Sequence, residues 1–430
     1  MQKNQLFKRF VSLLNRLFFP STSNWKHWLL IAILIRGLFF VAQLYVYRST
    51  NGIWGITSDD DEQYLTSIEN LITKGSYTPD FRMPGYGAIY FPLFLFFSRI
   101  TSYNLLILLQ LLASSLSVYA LALIAKKVFN NNILFFITFY LFAICYLTSS
   151  FDIWLLTESF TTSALIFFLY YFISYYENKN KRYLFLAGLF ITWVIFLRPV
   201  YMPVPFILLP VLYYFNQKDK KKFLFTSCLF LSTFVVTESA WVVRNYIVYK
   251  EVIPLTKSVY LPTYEDTYVP TESFVQAWGG GVARDYLTLD FSGAPDIYTS
   301  RFNADSLKAL HELKLKDITI SPAEKALNHQ LIIKKINLYT QSIKQERPWL
   351  YYIQAPLSQA KQFFSMSRIW YIFFFIKNCG KQVWYFYTFF YNFILYTGFL
   401  GMLLLLLKLT KEPLKFLLVI IPLYTIVIHP

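Results

Sequence analysis

An all-α polytopic membrane protein is the fold class this sequence predicts, and three observations predict it. Of 430 residues, 56% are hydrophobic and 20% aromatic, while only 15% are charged. A soluble domain carries about 25% charge. The apolar residues gather in stretches about 20 residues long, enough to cross roughly 30 Å of hydrocarbon as helix. Lys and Arg then collect at every second junction between those stretches, as they do in cytoplasmic loops. A disordered chain is excluded by the same composition, and a disulfide-stapled module by a count of three cysteines. The formal net charge of +16 therefore reads as loop charge, with no nucleic-acid partner implied.

The first 26 residues carry Lys3, Lys8, Arg9, Arg16 and Lys26 and no acid, which places the N-terminus in the cytoplasm. The first span, 28–47, has no small-residue cleavage site after it and reads as a retained helix. Further spans are expected at 102–125, 133–150, 158–176, 183–197, 201–215, 223–242, 385–407 and 414–429, about nine in all. Segment 84–98 is apolar but short. Counting it as a span would put Lys126 and Lys127 outside, so it reads as interfacial or re-entrant on the outer face. Cys145 and Cys228 fall inside spans and only Cys379 lies near the outer side, so no outer-loop disulfide is expected.

Three modules follow. Residues 1–242 form an N-terminal transmembrane module whose first outer loop, 48–101, carries an acidic run. Residues 243–384 form a large outer loop, with a small cap over 244–348 and amphipathic helices along the membrane surface over 349–375. Residues 385–430 form the C-terminal spans.

Charges at membrane depth or at its edge are costly, so their positions point to function. The run Asp59-Asp60-Asp61-Glu62 follows the first span. Arg82 precedes the re-entrant segment, Asp152 and Glu158 flank the outer end of the fourth span, and Arg198 ends the fifth. Glu238 lies near the end of the seventh, and Arg244 follows it. All face the outer boundary in this topology, and such a mixture of carboxylates and guanidinium groups suits anionic chemistry. Each has a plainer reading beside it. The acidic run also fits a solvated helix start, because acids favour the first turn. Arg198 before Pro199 also fits a headgroup anchor. Arg36, two turns into the first span, is expected to snorkel inward or meet lipid phosphate. Glu238 is expected to bond a neighbouring helix, and Trp278-Gly279-Gly280-Gly281 to make a tight turn in the cap.

The histidines, His27, His311, His329 and His429, are unclustered, and His311-Glu312 lacks the second His of a zinc-protease helix. No phosphate-binding Gly loop, Cys-rich metal spacing or nucleophilic Ser elbow is present. ATP-driven transport and metalloprotease activity have no support.

The order of the motifs resembles the opening of the GT-C glycosyltransferases, in particular the protein O-mannosyltransferase and aminoarabinose transferase branch. Asp60-Asp61-Glu62-Gln63-Tyr64 comes after the first span, then an amphipathic helix to Gly75, then Arg82-Met83-Pro84-Gly85-Tyr86. Leu156-Thr157-Glu158-Ser159 is similar to the acidic start of a central span in bacterial members. Trp241-Val242-Val243-Arg244-Asn245-Tyr246 with Val252-Ile253-Pro254-Leu255 is similar to the segment that opens their large outer loop. Two positions depart: Ala240 stands where a Pro is usual, and Gln63 where the aminoarabinose enzymes carry an Arg. Family members continue through further spans, so a shortened C-terminal module is expected.

The resemblance implies an inverting transfer, on the outer face of the cytoplasmic membrane, from a polyprenyl-phosphate-linked sugar to a lipid, glycan or protein acceptor. Asp60 would be the general base, with Asp61 or Glu158 orienting the acceptor. Arg82, Arg198 and Arg244 would hold the leaving phosphate. Glu62, Tyr64, Asp152, Asn245 and Tyr246 would position substrate among the membrane lipids. No cofactor is required and no metal is implied by spacing, although an outer acidic cluster is able to hold a divalent ion. Two other readings stand beside it. An O-antigen polymerase or ligase also has many spans and a large basic outer loop. A transporter or flippase would place polar or broken helices near the bilayer midplane.

Overall fold

The computed structural model describes residues 21–47, 52–57, 59–78, 82–217, 219–256, 298–316, 322–357, 381–407 and 413–428. Among these residues the structure is all-α, and the one extended pairing is an isolated parallel bridge between Ile56 and Trp154. Two compact units are present: Met1–Lys257 with Leu400–Pro422, and Ser258–Phe399 with Leu423–Pro430.

Unit one begins with helix α1, Trp25–Tyr47. An amphipathic helix α2, Asp59–Lys74, follows and stops at Gly75, whose φ of +70° is the left-handed helix end that glycine supplies without strain. The short apolar helix α3, Gly87–Phe96, leads into the 31-residue α4, Arg99–Phe129. Ser98 caps α4 by accepting from the Thr101 N–H, and Lys126 and Lys127 sit in its last turn, where the macrodipole favours cations. Helices α5, Asn132–Ala143, and α6, Tyr146–Ser149, then run into a 3₁₀ turn over Ser150–Ile153. In the hairpin of α7, Glu158–Asn178, and α8, Lys181–Leu197, α7 packs on α4. Short pieces α9, Val204–Ile207, and α10, Leu209–Phe215, connect to α11, Lys220–Tyr249, which Asp219 caps.

Among the described residues, four helices are long and apolar enough to cross a membrane: Trp25–Tyr45, Arg99–Phe129, Lys220–Tyr249 and Tyr385–Leu407. The α5 and α6 segments, bent by 51°, make a fifth if they form one span. Four expected spans take other forms: 158–176, 183–197, 201–215 and 414–429, the last being a shorter apolar helix over Leu414–Thr425. Segment 201–215 is broken into short pieces, because Pro203, Pro205 and Pro210 each remove a backbone donor. Helix α8 has 17 residues, short of a comfortable crossing. Helix α7 carries Ser159, Thr161, Ser163 and Ser174 on buried positions, so its hydropathy is diluted by residues that face protein.

The bend in the third expected span has a cause at Arg36. Its Nη2 donates to the Phe142 carbonyl at 2.9 Å and to Thr148 Oγ1 at 3.0 Å, occupying a carbonyl at the break. Arg36 is 1% exposed and its guanidinium lies 3.5 Å from the Asp152 carboxylate. The expectation that it snorkels is therefore corrected: an internal carboxylate supplies the partner that a headgroup would otherwise supply.

Buried apolar clusters among the described residues hold unit one. Trp28, Ala32, Val118, Ala122, Phe135 and Phe139 fill the space between α1, α4 and α5. A second core, with Tyr86, Tyr90, Ile107, Phe160 and Leu197, lies at the opposite end, beneath the charged groups. In unit two, α12, Ala304–Lys316, packs on α13, Pro322–Glu346, through Leu307, Leu310, Ile332, Ile336 and Tyr339. A π-helical turn, Leu350–Gln354, starts the segment expected to lie along the surface. Helices α14, Lys381–Leu407, and α15, Pro413–Ile428, each contribute to both units. Residues 278–281 and most of 349–375 lie outside the described residues.

Candidate active site

Short connections make neighbouring helices antiparallel, and this decides which charges meet. The α7–α8 turn brings the start of α7 beside the end of α8. Glu158 and Arg198 accordingly form an ion pair, and Arg198 Nε also donates to Thr157 Oγ1 at 3.2 Å. Glu158 Oε2 is buried and accepts no hydrogen bond among the described residues. The Glu158 side chain is 29% exposed, so the group as a whole is reachable from solvent.

The turn after Arg82 is fixed to the same helix end. Gly85 N–H donates to the Phe196 carbonyl at 3.1 Å, and Trp193 Nε1 donates to the Gly85 carbonyl at 3.1 Å. A Cβ at Gly85 would lie 2.4 to 2.6 Å from backbone atoms of Phe196 and Leu197, so only glycine permits this approach. The rings of Tyr64, Tyr86, Phe160 and Trp193 contact one another in sequence, making an aromatic floor from α2 to α8.

Arg82 itself donates from Nε and Nη2 to Gln63 Oε1, at 3.1 and 2.8 Å, and stands 4.9 Å from the Tyr64 ring centre. An amide oxygen accepts from Arg82, which a guanidinium in its place would not do. Gln63 is one turn along α2 from Asp60. The run Asp59-Asp60-Asp61-Glu62 opens α2, and its side chains lie outside the described residues.

Arg244 joins the group through Tyr77. Its Nη2 donates to the Tyr77 carbonyl at 3.1 Å, and the Tyr77 hydroxyl donates to the Arg82 carbonyl at 3.1 Å. The guanidinium also faces the Tyr77 and Trp241 rings at 5.4 and 5.0 Å. Asn245 Oδ1 accepts from Arg244 at 2.9 Å, while its Nδ2 donates to the Ile253 carbonyl at 3.0 Å. Leu255 has a φ of +58°, costly for a branched residue. Three side chains of α11 hold it there: its N–H donates to Glu238 Oε1 at 2.5 Å, and Trp241 and Asn245 donate to its carbonyl. Glu238 therefore bonds the returning loop, not a neighbouring helix. Tyr246, by contrast, is 53% exposed.

Glu158, Arg82, Arg198, Arg244, Tyr64 and Asn245 are all placed at one end of unit one. Asp152 differs. It is 1% exposed, paired with Arg36 and bonded by Ser159 Oγ at 2.7 Å, so it offers no surface to a substrate. Two residues that sequence reasoning missed bind this end together. Gln110 donates to the Trp154 carbonyl at 2.8 Å and accepts from the Tyr86 hydroxyl at 2.5 Å. Glu69 accepts from Tyr90, Arg99 and Tyr103, joining α2, α3 and α4. Burial and the Glu69 charge beside it push the Tyr90 phenol well above its usual range, so it remains a donor. Among the described residues no group of three or more His, Cys, Asp or Glu is placed to hold a metal ion.

No protein-family model, curated protein or solved structure matches this chain.

Proposed function

We propose that this protein is a membrane glycosyltransferase of GT-C type that moves a sugar from a polyprenyl-phosphate donor to a lipid, glycan or protein hydroxyl. The chemistry takes place on the extracytoplasmic face, and the remaining apolar segments complete about nine crossings. The observation that carries this reading is the buried, unpartnered Glu158 Oε2 beside Arg198. Arg82 joins them through the Gly85 turn, and Arg244 through Tyr77. The ordered resemblance of the motifs supports it independently.

In the proposed displacement the acceptor oxygen attacks the anomeric carbon as the bond from that carbon to the phosphate oxygen breaks. Asp60 takes the acceptor proton, and Asp61 and Glu158 orient the hydroxyl. The departing polyprenyl phosphate gains negative charge, which Arg82, Arg198 and Arg244 stabilise with guanidinium forks already held in place. The apolar helix α3 lines the path of the isoprenoid chain. No cofactor takes part.

Membranes holding the protein, incubated with a panel of polyprenyl-phosphate sugars, are expected to release polyprenyl phosphate from one donor. Release from none would remove the reading. One observation favours transport as a second reading. Arg36, bonded at the break of the bent α5–α6 pair and paired with Asp152 in the turn that follows, puts buried charge halfway along α1. Labelled substrate crossing sealed vesicles without chemical change would select transport.

A further inference from the structure

The other end of unit one contains a feature that sugar transfer does not use. Helix α7 is 21 residues long, so its end lies about 30 Å from Glu158 at 1.5 Å per residue. There the α7–α8 connection, Lys179-Asn180, lies beside the start of α11. Between them is a cavity of about 520 Å³, a size that suits a small molecule or a lipid headgroup. Lys179, Lys181, Lys221 and Lys222 line it, and no described carboxylate does.

Lysines at a cytoplasmic boundary need no special explanation, since positive loops set topology. Their arrangement here does. Lys179 adopts a left-handed φ of +53°, and its Nζ donates to the Phe215 carbonyl at 2.9 Å and stands 4.6 Å from the Tyr176 ring centre. Lys181 Nζ lies 4.3 Å from the Phe225 ring centre. Both side chains are exposed, yet their ammonium groups stand beside the cavity's aromatic side. Partial burial lowers the Lys179 pKa, the mark of a cation short of counter-charge. Asp219 offsets little of this. It lies 3.7 Å from Lys222 Nζ, but one of its oxygens already caps α11 by accepting from Lys221 N–H and Lys222 N–H. The floor is firm, because buried Asn216 is held by Tyr175, Thr226 and the Leu212 carbonyl.

We propose that this cavity binds a phosphate group, carried by an anionic lipid headgroup or by a small soluble phosphorylated molecule. Four lysines lining one cavity with no described carboxylate among them suit phosphate oxygens, and the space exceeds what a bare ion fills.

The test uses the full chain in neutral detergent. Phosphatidylglycerol and phosphatidylcholine are titrated against it and retention is read by native mass spectrometry. Inorganic phosphate is titrated separately and followed by phosphorus NMR line broadening. The expected result is at least tenfold better retention of phosphatidylglycerol, lost in the Lys179→Gln/Lys221→Gln double variant and kept in Lys181→Arg. Phosphate broadening lost in the double variant, without lipid preference, supports the proposal with a soluble source. If neither ligand separates wild type from the double variant, the proposal is overturned. Lys221→Glu, at an exposed position on the wall, repeats both arms if the double variant is unstable.

Discussion

Asp152 and Arg36 face each other at 3.5 Å with 1% exposure apiece, so two full charges are held where neither water nor lipid headgroup reaches. Taking both out of water is expensive, and their attraction with the Ser159, Phe142 and Thr148 bonds offsets that cost. Removing one partner leaves the other uncompensated. Arg36→Met and Asp152→Leu are each expected to lower stability by about 3–5 kcal/mol. The double variant should recover most of that loss. Thermal melting in detergent reads all three, and strictly additive losses would show that the two charges are not coupled.

Gly85→Ala tests the clasp between the Arg82 turn and the end of α8. Its methyl group would meet the Phe196 and Leu197 backbone, which cannot yield as a flexible side chain would. A loss of about 1–3 kcal/mol is expected, with sugar-transfer activity lost beyond the loss of folded protein. Gly37→Ala is the control, because open space surrounds that position in α1. It should be neutral or slightly stabilising.

Arg244 is held by the Tyr77 carbonyl and Asn245, with a fork presented at the same end as Arg82 and Arg198. Arg244→Ala is expected to slow donor turnover by about 10²-fold. Arg244→Lys should regain little of it, because a point charge lacks the planar fork. Steady-state release of polyprenyl phosphate checks this, and an unchanged rate in the alanine variant would place the phosphate contact elsewhere.

Unit two supplies a pH dependence. Glu346 accepts from the Ser300 N–H at 2.8 Å, the Ser300 hydroxyl at 2.7 Å and the Ser342 hydroxyl at 3.0 Å. Those donors favour the carboxylate and hold its pKa below the ordinary 4.5. A depressed folded-state pKa stabilises above the unfolded value and is lost as pH falls through the folded one. Wild type should therefore melt higher than Glu346→Gln at pH 7, with the gap closing as pH falls below about 4.5. A constant gap across that range would contradict the assignment.

Part of this arrangement was legible in the chain, and the reason differs by residue. Glu158 and Arg198 stand out because a carboxylate and a guanidinium end two apolar helices that only two residues join, which brings opposite charges to the same end. Asn245 is legible because its partners, Ile253 and Leu255, lie only 8 to 10 residues away, whereas the Arg244 bond to Tyr77 crosses 167 residues and leaves no spacing pattern. The Arg36–Asp152 pair and the Gln110 bonds connect distant segments, and pairs of that kind leave no spacing pattern. Glu69 looked like one more polar residue on an amphipathic helix. The breaks within 201–215 were written in its three prolines, but hydropathy averaged over the segment concealed them.

The central claim is that these charges perform sugar transfer with Asp60 as base. The most direct measurement is donor turnover by Asp60→Asn in protein shown to be folded and membrane-inserted. Loss of polyprenyl phosphate release while the melting temperature is unchanged is the predicted result. Release near the wild-type rate would contradict it.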